Sequence, residues 1–500
     1  MARVLALDIG TTAVKAAIVD LAAGACVVAI AEAPLALATP APGWAEQDPA
    51  DWWTATRVAV AALEGDDVRV GGTLDVAAVA VTGQMQDLVT LDADLAPVRA
   101  AILYSDVRAE AEHRVLVDEL GPAWAAAVGS APDATNVAAK WRWLVAHEPH
   151  TVETVEVVAV GAHSVVVAHL TGLVRTDPTT AATTGYFDLG AGDWWAPAVA
   201  ATGCPLAPVH PVRDPVGPVT ADAAAALGLA EGIPVVLAPG DAVATTVGVL
   251  GDAVGAAYAY LGTSGWVAAT AAAPRPAPGV IVLPGLGDEH WIHVAPMATA
   301  CGALDWARAV LFDGIDHAAF DRLAASADRP AAADGVVFLP HLDGVRTPDD
   351  APDATGVLLG VRRSTGQATV AAAVQEGLAH AVRMLVELIA PDADPLRVCG
   401  GGSRSRQLCR TIADVTGVAV VALDSAHAAV VGAAVTAGPA IGVAADPTTT
   451  DAEAALPDAE RRRAHLAIES SFADIVPNIA GLFHSLARAR GGEAPTRRDP

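Results

Sequence analysis

Positive charge is scarce in this chain, and lysine is nearly absent. Its 500 residues include 30 lysines and arginines against 57 aspartates and glutamates, a formal net charge of −27. The only lysines are Lys15 and Lys140. Because most of such a surface repels a phosphate backbone, the composition argues against a nucleic-acid partner.

Cysteine is also rare, with five residues and no CxxC pair. An odd number without paired spacing indicates neither a disulfide framework nor a zinc site. Buried thiols in a reducing compartment are expected, which favours a cytoplasmic location. Asp8 interrupts the first apolar run, and no cleavage pattern follows, so we expect no signal peptide.

Residues 428–445 carry no charge and form a segment almost long enough to span a bilayer. Gly432, Gly438, Pro439 and Gly442 interrupt it, so a buried helix followed by a loop is the better prediction, with no membrane partner. The hydrophobic share of 53% is enough for a sizeable core, and the length suggests two to four domains.

Neither GxxxxGK[ST] nor a GxGxxG after a strand occurs, which leaves P-loop and Rossmann sites without support. Instead, residues 4–20 have the pattern of a β-hairpin with Gly10, Thr11 and Thr12 at its tip. Such a tip can direct backbone N–H groups and hydroxyls at phosphate, because Gly10 has no Cβ. Asp8, at the strand's end, could hold Mg²⁺ through water. The alternative is an ordinary hairpin with a polar tip.

This pattern recurs about 250 residues later, where an apolar strand over 255–261 is followed by Gly262, Thr263 and Ser264 and a returning strand. Two phosphate-facing hairpins suggest two similar domains facing each other across a cleft.

Polar residues follow two predicted strands, at 82–87 and at 104–108. In α/β proteins such strand ends carry ligand contacts, so together they predict one polyol-sized pocket. Two solvated turns are the alternative.

Another predicted buried strand, over 235–241, delivers Asp241 at its C-terminal end, next to a helix start. A partly desolvated carboxylate there is a candidate general base. The three glycines 400–402 follow a strand and could seat adenine and ribose, although a bare glycine turn explains them equally.

In order and spacing these motifs resemble the FGGY carbohydrate kinases, most closely the xylulokinases, from about residue 4 to residue 437. The stretches that carry the resemblance are the Asp8 hairpin, residues 44–49, 83–85, 101–108, 240–241, 261–265, 342–348 and 400–405. The resemblance implies an α/β fold of two ribonuclease H-like (actin/hexokinase-type ATPase) domains flanking a central cleft. It also implies ATP with Mg²⁺, and phosphorylation of a terminal hydroxyl of a ketopentose or related polyol.

The resemblance assigns roles to particular residues. Asp241 falls on the catalytic base, and Asp8 and Asp241 are the residues expected at the metal. The expected cofactor contacts are Gly10, Thr11, Thr12, Lys15, Gly262, Thr263, Ser264, Gly401, Gly402 and Arg404. The expected substrate contacts are Gln84, Met85, Gln86, Tyr104, Asp106 and Asp241.

Two positions depart from the xylulokinase pattern, which has His where this chain has Gln86 and Asn where it has Ala242. Both positions contact sugar in the family, so the identity of the sugar is open while phosphoryl transfer is not. The expected domains are 1–246 for sugar, 247–440 for ATP and a helical tail over 441–500 packed on the body. A homodimer is possible, and an inactive sugar-binding pseudokinase or regulator is the alternative function.

Overall fold

The computed structural model describes residues 2–65, 68–287, 289–348, 351–423, 426–447 and 454–489. It forms two compact units. The first comprises Met1–Asp252, Leu283–Trp291 and His427–Thr448, and the second comprises Ala253–Val282, Ile292–Ala426 and Thr449–Pro500. The domain boundaries predicted from sequence stay a proposal, and residues 448–453 and 490–500 of the predicted tail lie outside the described residues.

The strands, numbered along the chain, are β1 (Arg3–Ile9), β2 (Ala13–Asp20), β3 (Cys26–Pro34), β4 (Glu46–Gln47), β5 (Arg69–Val70), β6 (Thr73–Leu74), β7 (Ala78–Gly83), β8 (Met85–Leu91), β9 (Ala101–Ile102), β10 (Val157–Gly161), β11 (Phe187–Asp188), β12 (Asp193–Trp194), β13 (Pro215–Pro218), β14 (Pro234–Leu237), β15 (Ala257–Leu261), β16 (Gly265–Ala271), β17 (Ile281–Pro284), β18 (Trp291–Met297), β19 (Val337–Leu339), β20 (Val357–Leu359), β21 (Leu396–Cys399) and β22 (Val420–Ala422).

The helices are α1 (Pro49–Ala61), α2 (Glu110–Leu120), α3 (Pro122–Val128), α4 (Val137–His147), α5 (Pro149–Val152), α6 (Ala162–Thr171), α7 (Pro178–Ala181), α8 (Ala196–Thr202), α9 (Ala221–Leu227), α10 (Asp241–Leu250), α11 (Cys301–Leu311), α12 (His317–Ala325), α13 (Gln367–Ile389), α14 (Arg406–Thr416), α15 (Ala428–Ala437), α16 (Ala459–Leu466) and α17 (Glu469–Ala489).

The first unit is built on a six-stranded sheet ordered β13-β14-β7-β1-β2-β3. The predicted hairpin is confirmed, because β1 and β2 pair antiparallel with Asp8 opposite Lys15. In the same sheet β1 lies parallel to β7, and β7 lies parallel to β14. The carboxyl ends of these parallel strands therefore share one edge of the sheet, where ligands bind in α/β folds.

Most of the second six-stranded sheet, β17-β18-β16-β15-β21-β22, belongs to the second unit. Its β15–β16 hairpin is antiparallel, and β15 continues in parallel with β21 and β21 with β22. Each sheet thus joins an antiparallel hairpin to two parallel strands. This repetition confirms the prediction of two similar domains.

Two glycines bring α10 and α15 of the first unit into close contact. A Cβ on Gly248 of α10 would lie 1.9 Å from the Ala428 carbonyl oxygen, and a Cβ on Gly432 of α15 would lie 1.9 Å from that of Ala244. Because neither position has room for a side chain, the backbones pack directly on each other. The buried helix predicted within 428–445 is confirmed, and it fixes the helix that begins at Asp241.

By length and composition alone, the helical stretch Ala459–Ala489 could cross a membrane. One face of α17 packs against the second unit, to which it belongs. Its residues Phe472, Val476 and Phe483 are buried in an apolar cluster with Leu339 and Val345 of that unit. A single helix that passes this test of length and composition is weak evidence for a membrane span.

Candidate active site

The tip of the first hairpin is held by two glutamine side chains. The Thr11 hydroxyl donates to Gln84 Oε1 at 2.8 Å, and Gln84 Nε2 donates to Gln47 Oε1 at 2.9 Å. Gln47 Nε2 in turn donates to the Thr11 carbonyl at 2.7 Å. Thr12 beside them is exposed. The side-chain amide of Gln84, a predicted substrate contact, therefore helps to shape the tip. The exposed side chain of Thr12 can contact a ligand.

Asp241 is the first residue of α10, three residues beyond the buried Ala238 that follows β14. Burial raises the pKa of its carboxyl to about 7, with the charge of Asp8 adding to the rise and the Ala242 amide opposing it. Burial likewise raises the pKa of Asp8, against the attraction of Lys15 and His163. The structure thus brings Asp241 and Asp8 into one electrostatic site, as expected for a base next to the first hairpin.

Lys15 projects from β2 directly opposite Asp8 and is partly exposed. It is the fixed positive charge nearest the tip, since Arg3 lies at the other end of the hairpin, opposite Asp20. A Cβ added to Gly10 at the tip would lie 3.2 Å from the Ala13 carbonyl oxygen. A flat, small tip flanked by an ammonium group suits a phosphate oxygen.

The two predicted strand ends do meet in the first unit. The Tyr104 amide donates to Asp87 Oδ1 at 3.1 Å, which joins the end of β9 to β8. Gln86 has a left-handed backbone, with φ of +66°, and its Nε2 donates to the Thr135 hydroxyl at 2.9 Å. Tyr104 is exposed, whereas Met85 is buried.

Asp106 is fully buried and committed to its own unit. Its carboxylate accepts hydrogen bonds from the Ala45 amide at 2.6 Å and from Arg108 Nε at 2.9 Å, and it forms an ion pair with the same guanidinium at 2.7 Å. The Arg108 guanidinium also lies 3.7 Å from the centre of the Trp44 ring. These contacts give Asp106 a structural role, and the expected sugar contact stays a prediction.

Sequence reasoning missed two buried charged groups in the same unit. Lys140 donates to the Gln86 carbonyl at 2.9 Å, and burial lowers its pKa to about 8 although Asp87 and Asp106 oppose the shift. Burial raises the pKa of Asp87 to about 7, with Lys140 opposing. The scarcity of lysine is the available clue, because one of the only two lysines lies between apolar residues, Ala139 and Trp141, in α4.

The second missed group is a buried pair, in which His163 Nε2 lies 2.9 Å from Asp177 Oδ2. Burial alone would raise the pKa of Asp177, but hydrogen bonds from His163, Thr179 and Thr180 lower it below the usual value. Asp177 also caps α7, because its carboxylate accepts the Thr179 and Thr180 amides. Its partner His163 lies on another helix, so sequence spacing could not reveal the pair.

In the second unit, the other glycine-hydroxyl hairpin and the glycine turn lie side by side. A Cβ on Gly400 would lie 2.9 Å from the Leu261 carbonyl oxygen, and one on Gly402 would lie 2.7 Å from Leu261 Cβ. Thr263 and Ser264 at the hairpin tip are exposed. The structure therefore brings together the residues expected at the phosphates and those expected at the nucleoside.

A cavity of about 630 Å³ opens beside the glycine turn. Its lining includes Ser403, Arg404, Arg406, Gln407 and Arg410. Its size and its arginine side chains suit a bulky anionic ligand in a chain that is otherwise strongly acidic.

The carboxylates of Asp8 and Asp241 fit a hard cation. The nearby Asp8 carboxylate raises the pKa of Asp241. A bound divalent cation would oppose that rise, because it favours the ionised carboxylate. No group of three or more His, Cys, Asp or Glu side chains among the described residues could hold a metal by itself. Mg²⁺ usually binds through one or two carboxylates together with water and substrate phosphate.

Comparison with known proteins matches this architecture over both units. Residues 3–248 match the N-terminal domain of the FGGY family of carbohydrate kinases, and residues 257–441 match its C-terminal domain. A xylulose kinase of Streptomyces coelicolor is 33% identical over 441 residues, 86% of each chain. A xylulose kinase of Escherichia coli is 30% identical, covering 96% of this chain and 99% of that protein.

Among solved structures, that of a xylulose kinase from Rhodospirillum rubrum superposes with a TM-score of 0.88 at 30% identity, covering 96% of this chain and all of that one. The fold is the two-domain α/β actin/hexokinase-type ATPase fold predicted from sequence. By its sequence, its fold and the acidic pair at its first hairpin, this chain belongs to the FGGY family of carbohydrate kinases and is an ATP-dependent sugar kinase.

Proposed function

We propose that this kinase phosphorylates a terminal hydroxyl of a xylulose-like ketopentose, with Asp241 as the general base. The observation that carries the proposal is the Asp241 carboxylate, whose pKa of about 7 leaves it poised between its two protonation states at neutral pH. A general base works best with a pKa near the operating pH.

The reaction requires little covalent chemistry from the protein. Asp241 accepts the proton of the sugar hydroxyl as its oxygen attacks the terminal phosphorus of ATP, and ADP leaves. The transition state for phosphoryl transfer is loose, so catalysis comes from positioning and from neutralising the charge on the equatorial oxygens. In the first unit we assign that neutralisation to the tip residues Gly10, Thr11 and Thr12 and to Lys15.

Asp8 and Asp241 would hold the Mg²⁺ that sugar kinases use with ATP. The ion, when bound, would supply positive charge to the triphosphate. Asp8 lies next to the end of β1, opposite Lys15, which places its carboxylate beside the hairpin tip.

We assign the nucleotide to the second unit. Thr263 and Ser264, with Gly262, would meet phosphate oxygens, and Gly401, Gly402 and Arg404 would flank adenine and ribose. The neighbouring cavity of about 630 Å³ supports this placement. It is large enough for a nucleoside.

The sugar is proposed from the relatives that are named xylulose kinases. The side chains we expect at the sugar are Gln84, Met85, Gln86, Tyr104, Asp106 and Asp241. Gln86 and Ala242 replace the His and Asn of the xylulokinase pattern, so the ribuloses are the nearest competing substrates. We further propose a cytoplasmic enzyme that can form a homodimer and that binds neither membranes nor nucleic acid.

A pseudokinase is the weaker hypothesis, because the base, the second carboxylate and both hairpins are retained. The test is coupled detection of ADP with D-xylulose, the ribuloses and other polyols side by side. We expect ADP release with at least one ketopentose and none with Asp241→Asn, which should still bind ATP. Near-normal turnover by Asp241→Asn would refute the assigned base, and absence of ADP with every polyol would favour the pseudokinase.

A further inference from the structure

Two buried threonines hold the peptide units that lead into Asp241. The Thr82 hydroxyl donates to the Pro239 carbonyl at 2.6 Å, and the Gly240 amide donates to the Thr179 hydroxyl oxygen at 2.9 Å. Both threonine side chains are completely buried. The bonds reach the two residues that immediately precede Asp241, so they determine where its Cα lies.

Asp177 sets the direction of the Thr179 hydroxyl. The hydroxyl donates to Asp177 Oδ1, which also accepts the Thr179 and Thr180 amides at 3.0 and 2.9 Å. Since an ionised carboxylate can only accept, the Thr179 proton is committed to it, and a hydroxyl lone pair is left to face the Gly240 amide. His163, 2.9 Å from the other carboxylate oxygen, holds Asp177 in turn.

The loop before Asp241 also has no spare room. A Cβ on Gly240 would lie 2.3 Å from Met85 Cγ and 2.8 Å from the Thr180 hydroxyl oxygen. The loop is therefore fixed by packing on one side and by two buried hydrogen bonds.

We infer that Thr179 and Thr82 are positioning residues for the general base, with Asp177 and His163 orienting Thr179. The inference rests on the proposed role of Asp241. None of these four residues needs to touch the sugar or the nucleotide, and each acts by fixing the backbone from which the Asp241 carboxylate projects.

The test is steady-state kinetics of the full-length enzyme carrying Thr179→Val, which keeps the shape of the side chain but removes the hydroxyl. A displacement of about 1 Å at a reacting group can cost roughly a hundredfold in rate, so we expect kcat to fall by about that factor. KM for ATP should stay within about twofold, because ground-state binding is not touched. Thr179→Ser should restore most of the loss.

Thr184→Val is the matched control. Thr184 is as buried as Thr179 and follows it closely in the chain. Its hydroxyl donates to the Ala181 carbonyl at 2.7 Å and makes no bond to the loop before Asp241. This variant should keep kcat whatever it costs in stability. An equal loss of kcat in Thr184→Val, or a wild-type kcat in Thr179→Val, would overturn the inference.

Thr82→Val decides the question if Thr179→Val does not fold, because it removes the other bond to the loop and should also lower kcat at constant KM for ATP. An unchanged kcat in Thr82→Val would then overturn the inference. Failure of the proposed function is distinct, since it would appear as turnover by Asp241→Asn.

Discussion

At the scale of single residues, the chemistry depends on carboxylates that lie where water is scarce. Asp241 and Asp87 both have pKa values raised to about 7, and in both burial is the main cause. Their partners differ: Asp8 disfavours ionisation of Asp241, whereas Lys140 favours ionisation of Asp87. The first carboxylate is thereby poised to take a proton, and the second is tied to a buried cation.

The pH dependence of the reaction should report Asp241. Only its ionised form accepts a proton, so kcat/KM for the sugar should rise with pH through about 7, the pKa set by burial and Asp8. Bound Mg²⁺ should move the same limb to lower pH, because a cation favours the carboxylate. Initial rates measured at limiting and at saturating Mg²⁺ check this, and a profile that stays level from neutral into acidic pH in both conditions would contradict it.

Substrate preference should respond to the two positions that differ from the xylulokinase pattern. Replacing Gln86→His together with Ala242→Asn should raise kcat/KM for D-xylulose relative to D-ribulose by roughly tenfold to a hundredfold, the usual value of a buried polar contact. Histidine tolerates the left-handed backbone found at position 86. Competition between the two ketoses measures the ratio, and an unchanged ratio would mean that other residues select the sugar.

At the scale of elements, the base depends on a contact between two helices. Asp241 begins α10, and α10 packs on α15 through Gly248 and Gly432. The sequence predicts a buried helix within 428–445 from its lack of charge. It does not indicate that α15 packs in the first unit, because that depends on a contact with a helix almost 200 residues earlier in the chain.

Gly248→Ala should therefore destabilise the protein by about 1–3 kcal/mol, as overpacking does, because its Cβ would lie 1.9 Å from the Ala428 carbonyl oxygen. Gly481→Ala is the control, since a Cβ on Gly481 of α17 meets nothing within 4 Å. That substitution should be neutral or stabilising, because alanine favours helix. Urea denaturation measures both, and equal stability of the two variants would contradict the close contact.

At the scale of the whole molecule, charge decides which partners are possible. A net charge of −27 over 500 residues repels other polyanions. The acidic ligand ATP must then be attracted by local groups, such as Lys15 in the first unit and Arg404 in the second.

The full-length protein should accordingly show no retention of duplex DNA at physiological salt, because its net charge of −27 repels the phosphate backbone. A mobility-shift assay with random-sequence duplex measures this, and a DNA-binding protein of similar mass serves as positive control. A shift that weakens steeply with salt would contradict the expectation.

Much of this protein follows from local sequence alone. The Asp8 hairpin, its repeat at Gly262 and the strand that ends near Asp241 could be predicted, because turn chemistry and apolar periodicity act over a few residues. What the tertiary structure alone decided is which polar groups lie together and without water. Asp106 pairs with Arg108, Lys140 reaches the Gln86 carbonyl, and His163 supports Asp177. The last two contacts join residues remote along the chain, and all three depend on burial, which a sequence pattern does not specify.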